Sequence, residues 1–301
     1  MRAPLLVACT LGCCLLGAAS GCEKLLSIQN PVAGDGPGQD GGGSDSSDAG
    51  GPPPSSPLLL SEVVLTTVPG TPDPGEMIEI VNTSPDDVDL STYYLSDSGN
   101  YYRLPVTAMV DSTDFIVKFP DSAVIHGHQV ITIAIATPTE FLNSYSVLPN
   151  YSLRDGSMLT ITINGAPQLT NGGEPIILFQ WDGRSDLVRD VDILLAGAPS
   201  GSANAFPNKS NVTQDGPDPD MVPSKYAVDL GTIHAQPATP GNGFSTKRIA
   251  LEDGHEVHNG AGNGPSGDDE TSEDTAVTWD GTTANPFTAP TPGQVPAALL
   301  R

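Results

Sequence analysis

Between Leu58 and Leu195 the apolar residues come in short runs, and Asp, Asn, Gly or Pro closes each one. The runs are Leu58 to Thr67, Met77 to Val81, Val88 to Leu95, Tyr101 to Leu104, Phe115 to Phe119, Val130 to Ile135, Leu159 to Ile163, Ile176 to Trp181 and Leu187 to Leu195. Turn residues separate them, as in Ser84-Pro85-Asp86-Asp87, Ser98-Gly99-Asn100 and Asn171-Gly172-Gly173. Leu159, Ile161 and Ile163 alternate with Thr160 and Thr162, the period of an extended strand. Many short strands at such spacing predict an all-β sandwich or barrel. With 29 Pro, 33 Gly and 5% aromatic residues, long helices have no place to form. One helix is open as an expectation. Thr137-Pro138-Thr139-Glu140 has the form of a capping box followed by Phe141, Leu142 and Tyr145, although a simple turn reads the same residues.

The flanks read differently. Residues 30–57 are Gly, Asp, Ser and Pro with almost no apolar surface to offset ordering entropy, which predicts a flexible tether reaching roughly 30 Å. Residues 197–301 form a long-loop, acidic extension able to supply a closing strand. Tyr226 to Leu230 is a strand-like piece, and apolar signal returns at Phe244 to Leu251. Residues 252–280 hold nine acids and no Lys or Arg, the pattern of a solvated acidic loop.

All four cysteines lie in the first 22 residues. Arg2, an apolar run from Leu5 to Leu16 and the small residues Ala18 to Gly21 compose a signal segment. That run is shorter than the roughly 20 residues of a permanent membrane helix. The sequence Ala19-Ser20-Gly21-Cys22 resembles the lipobox of bacterial lipoproteins, with Ala19 where Leu is commonest. The resemblance implies a signal peptide over 1–21 and acyl chains, palmitate among them, on Cys22. A plain secretory signal is the alternative. Each buried methylene adds about 0.8 kcal/mol of membrane affinity, so several chains anchor stably. Glu23 after the cysteine leans toward the outer membrane or cell surface. The expected organisation is then signal peptide 1–21, lipidated tether 22–57, β-sandwich 58–196 and extension 197–301.

The middle of the chain resembles the lamin-tail domain, an immunoglobulin-like sandwich. The carrying residues are Leu60-Ser61-Glu62-Val63, Glu76-Met77-Ile78-Glu79-Ile80-Val81-Asn82 and Val88-Asp89-Leu90-Ser91-Thr92-Tyr93-Tyr94-Leu95-Ser96-Asp97. Asn171-Gly172-Gly173-Glu174-Pro175-Ile176-Ile177-Leu178 and Val188 to Ile193 continue the likeness, and Ser245-Thr246-Lys247-Arg248 and Pro290-Thr291-Pro292-Gly293 resemble its closing elements. The resemblance implies an adhesion or protein-binding module and carries no catalytic residues.

Charge and motifs narrow the chemistry. A formal net charge of −24 without a basic cluster opposes nucleic acid, whose phosphates are bound by Lys and Arg. His255-Glu256-Val257-His258 spaces its histidines three apart in a Gly- and Asn-rich stretch, whereas a zincin needs four on a helix. His126-Gly127-His128 reads as a solvated turn. No Gly-x-Ser-x-Gly elbow or phosphate loop occurs. Calcium is the small ligand the residues suit best: Asp215, Asp218 and Asp220 cluster three carboxylates, with Asp268-Asp269-Glu270 and Glu273-Asp274 as a second group. The expected function is a lipid-anchored extracytoplasmic module that binds an envelope or extracellular protein, without catalysis. A calcium-stabilised surface protein and a hydrolase built from loop acids and histidines are the alternatives.

Overall fold

A computed structural model describes residues 56–67, 73–197, 207–230, 239–251, 256–294 and 297–301. Cys22, the signal segment, the tether as far as residue 55, and His255 lie outside the described residues. Ten strands build two sheets: β1 (Leu58–Val64), β2 (Met77–Asn82), β3 (Tyr93–Ser96), β4 (Phe115–Lys118), β5 (Val130–Ala134), β6 (Tyr151–Ser152), β7 (Leu159–Ile163), β8 (Glu174–Gln180), β9 (Arg189–Ala196) and β10 (Thr246–Lys247). One sheet runs β10-β1-β2-β5-β6 and the other β9-β8-β3-β4-β7. Neighbours are antiparallel except β5 and β6. The all-β sandwich expected from the sequence is the fold observed.

The sheets close on one apolar core. Leu58, Leu60, Val63, Ile78, Ile80, Ile131 and Ile133 of the first sheet meet Leu95, Phe115, Val117, Ile176, Leu178 and Leu194 of the second. Each large side chain so buried stabilises the fold by roughly 1.5–3 kcal/mol. A bulge in β1 between Leu60 and Glu62 moves the inward series from Leu58 and Leu60 to Val63. It also turns Glu62 to the outer face. The outer faces are covered too. Val64, Met77 and Ala134 pack under Phe141 of α1 (Pro138–Tyr145), the longest helix among the described residues. Tyr94, Ile116, Ile177, Phe179, Ile193 and Leu195 lie under Tyr101, Tyr102 and Tyr226. Cover on both faces explains why Ile176 to Phe179 of β8 reads as a continuous apolar run rather than as alternation.

The capping box forms as written. Thr137 Oγ1 accepts from the Glu140 N–H, and the Glu140 carboxylate accepts from the Thr137 N–H at 2.9 Å. Two expected strands are corrected. Val88 to Leu95 divides into a two-residue ladder, Val88–Asp89 against Val124–Ile125, and β3. Asp89 Oδ1 accepts from the Ser91 N–H at 2.8 Å, and Tyr93 N–H donates to the Leu90 carbonyl, so a turn interrupts the run. Tyr101 to Leu104 is a 3-10 turn over Tyr101–Arg103. Both tyrosines are buried in one outer cluster, and adjacent strand residues would point to opposite faces.

The C-terminal extension lies against the sandwich. β10 pairs with β1 through Glu62↔Lys247 and Val63↔Thr246, the closing strand. Thr291 donates to Glu62 from its N–H at 2.9 Å and its hydroxyl at 2.8 Å, and the Gly293 N–H donates to Glu79 at 2.6 Å. The closing Thr291-Pro292-Gly293 is thus pinned to the glutamates of the opening motifs. The reading of 252–280 as solvated is corrected over its described residues: Glu256, Asp269, Glu270, Glu273 and Asp280 are buried. Asp269 accepts from the Leu230 N–H at 2.8 Å, Asp280 from the Lys247 N–H at 2.9 Å, and Glu273 from the one buried cation beside it, Arg248. It is fully buried and donates to Asp192 at 2.7 and 2.8 Å, to Glu273 at 3.0 Å and to the Leu60 carbonyl at 2.9 Å.

Candidate functional site

Three acids meet at one end of the second sheet. β3 runs antiparallel to both β4 and β8, with Ser96 opposite Ile116 and Ile177. The residue after β3 (Asp97), the residue before β4 (Asp114) and the first residue of β8 (Glu174) therefore share an end. One carboxylate oxygen from each lies within 4.8 Å of the other two. They are 0%, 5% and 4% exposed, so water solvates none of them as it would a surface acid.

The surroundings fix these groups in place. Asp97 Oδ1 accepts from the Phe115 N–H at 2.7 Å, and Glu174 Oε2 accepts from the Thr170 N–H at 2.7 Å. Gly173, at φ 129°, swings the chain into β8 where an added Cβ would sit 2.9 Å from the Ala196 carbonyl. Asp97 Oδ2 and Asp114 Oδ2 are buried without a hydrogen-bond partner. Burial, then the neighbouring carboxylates Glu174 and Asp114, holds Asp97 well above the usual carboxylate range. Burial pushes Asp114 up to about 6 and Glu174 up to about 7.

Two other groups of buried acids enclose a buried cation of the chain. Arg248 serves Asp192 and Glu273. Lys209 Nζ, fully buried, lies 2.6 Å from Asp190 and 3.1 Å from Asp229. Burial draws the Lys209 ammonium down, but the two aspartates outweigh it and leave it above its ordinary value. Among the described residues no ion pair reaches Asp97, Asp114 or Glu174.

The residues singled out by sequence fall as follows. Asp215 and Asp218 come together with Asp186, and Asp220 stands outside that group. Asp186 is already occupied by the N–H groups of Gly216 at 2.6 Å and Ser224 at 2.8 Å, which tie the loop to the sandwich. Asp218 is half-buried and Asp220 exposed, and they accept from the N–H groups of Asp220 and Val222. Val257–His258 is a strand against Asp268–Asp269, so the geometry is extended rather than helical. His258 Nδ1 is 2.9 Å from Asp268 and Nε2 is 3.8 Å from Glu256. Burial pushes Glu256 up to about 8. His126 and His128 separate, one toward Asp87 at 3.0 Å and the other toward the Arg301 carbonyl at 2.9 Å. A cleft of ≈ 330 Å³ lined by Trp181, Asp182, Ser185 and Arg189 contains no histidine.

The two long edges of the second sheet differ. β9 is flanked by residues 262–271, and Asp190 N–H donates to the Asn263 carbonyl at 3.0 Å. β7 pairs with β4 on one side, and among the described residues no strand pairs with its other side. Leu159 and Ile161 on it are 43% and 39% exposed.

No protein-family model and no curated protein matches the sequence. Among solved structures, the chain is similar to a DUF4876 family protein from Bacteroides thetaiotaomicron, at 15% identity and a TM-score of 0.42, covering 81% of this chain and 75% of that one.

Proposed function

We propose that this chain is a lipid-anchored, extracytoplasmic binding module of the lamin-tail kind, attached through Cys22 and presenting the β7 edge to an extended segment of an envelope or extracellular protein. The edge carries the reading. A strand paired on one side offers backbone donors and acceptors to a visiting strand, and Leu159 and Ile161 add apolar contact. Long uncovered edges are ordinarily blunted by Lys or Pro, and Leu-Thr-Ile-Thr-Ile contains neither. The anchor rests on the Ala19-Ser20-Gly21-Cys22 sequence, and the tether would hold the sandwich clear of lipid headgroups.

The test is site-specific photo-crosslinking of the full chain in the cells that produce it, with the crosslinker at Ile161 or at the exposed Asn143 of α1. The reading expects one discrete adduct from position 161, absent from position 143 and abolished by Leu159→Lys. Identical adducts from both positions, or none from 161, would refute it.

A further inference from the structure

We propose that Asp97, Asp114 and Glu174 hold one calcium ion at the shared end of β3, β4 and β8. The inference concerns stability of the sandwich and does not depend on the binding reading above. Its first support is the contrast in charge compensation. Two other groups of buried acids each enclose a buried cation, Lys209 or Arg248. This group brings three carboxylates together with none. A buried carboxylate must be paired, protonated or bound to metal.

The second support is the pair of orphan oxygens. Asp97 Oδ2 and Asp114 Oδ2 have no partner although the opposite Asp97 oxygen and one Glu174 oxygen are held by backbone N–H groups. Those N–H groups fix Asp97 and Glu174 in the way outer hydrogen bonds orient metal ligands, and one oxygen of each of the three acids lies within 4.8 Å of the other two. The donor set decides the ion. It is all oxygen, with no histidine or cysteine in the group, which suits a hard cation. Calcium takes oxygens at about 2.3–2.6 Å, so two ligands across one ion stand up to about 5 Å apart. The 4.8 Å limit on the three oxygens fits that span. Magnesium keeps several waters and a tight octahedron, which a buried cage of carboxylates does not offer.

The ion would also brace the docking edge. Thr113 N–H donates to the Asn164 carbonyl at 2.7 Å and Asn164 N–H to the Asp114 carbonyl at 3.2 Å, so the residue after β7 is tied to the proposed ligand.

The full chain, stripped with EGTA, is titrated with calcium chloride by calorimetry and melted with and without 1 mM calcium or magnesium. One calcium per chain is expected, with a melting temperature raised by at least about 3 °C and a smaller magnesium effect. Asp97→Asn with Asp114→Asn should abolish the calcium response while leaving the calcium-free melt equal or higher, since carboxamides do not repel. Glu174→Gln should weaken the response by itself. Asp215→Asn with Asp218→Asn should leave it intact. The proposal is overturned by an unresponsive parent chain, by equal responses to calcium and magnesium, by a response that survives the Asp97 and Asp114 changes, or by one lost on changing Asp215 and Asp218.

Discussion

Replacing Arg248 by Met keeps a long apolar stem in the core but removes the only cation that faces Asp192 and Glu273 among the described ion pairs. The guanidinium makes two bonds to Asp192, one to Glu273 and one to the Leu60 carbonyl, and lies 5.0 Å from the Trp279 ring. Breaking a buried pair on one side typically costs 3–5 kcal/mol, because a desolvated charge is left behind. We therefore expect a loss of about 4 kcal/mol. With an m-value of about 2–3 kcal/mol/M, the urea midpoint falls by about 1.3–2 M. The loss also has a pH signature. Burial, opposed by Arg248, already lifts Asp192 to about 6, and losing Arg248 lifts it further. A group whose folded pKa exceeds its unfolded value stabilises below the unfolded value and loses that contribution as pH rises through the folded one. The deficit of Arg248→Met should therefore be smaller at pH 5 than at pH 8. Equilibrium urea unfolding at both pH values measures it. A midpoint shift below about 0.3 M, or a deficit independent of pH, would refute the reasoning.

Burial pushes both Glu76 and Glu79 up to about 8, so in EGTA their stabilising contribution is full near pH 4.5 and is lost as pH rises through about 8. The urea midpoint of the metal-free chain should be higher at pH 5 than at pH 8, and the reverse order would contradict those environments. Gly173→Ala forces a side chain at φ 129° against the Ala196 carbonyl, and should destabilise by at least about 1–2 kcal/mol in the same assay. Cys22→Ser should move the chain from the membrane fraction to the soluble fraction on cell fractionation, whereas retention in the membrane would remove the lipid anchor from the account.

Most core strands were legible because their apolar runs are short and firmly punctuated. The helix was legible as a possibility through Thr137 and Glu140, which cap it locally. Long-range matters were not. Arg248 reaches Asp192 and Glu273, 56 and 25 residues away, and the sequence shows it only as the end of Ser245-Thr246-Lys247-Arg248. The acidic stretch after 252 reads as solvated because partners of its buried acids lie outside it: Arg248 for Glu273, the Leu230 N–H for Asp269 and the Lys247 N–H for Asp280. Lys209 and Tyr226 sit in a Pro- and Asp-rich stretch whose cover of the second sheet no periodicity reveals. Of the three proposed calcium ligands, Asp97 ends one quoted motif and Glu174 opens a strand in another. Asp114 was one acid among 36, in a turn like many others. Its signal was position, a carboxylate directly before the apolar run from Phe115, and only strand pairing shows what that position meets.

The central claim is that the Asp97, Asp114 and Glu174 group takes a cation from solution, where two other groups of buried acids enclose Lys209 and Arg248. A crystal structure of the full chain grown in calcium tests it most directly. The account predicts one ion with oxygens of Asp97, Asp114 and Glu174 about 2.3–2.6 Å away. Carboxyl groups in direct contact, sharing protons with no ion between them, would contradict it.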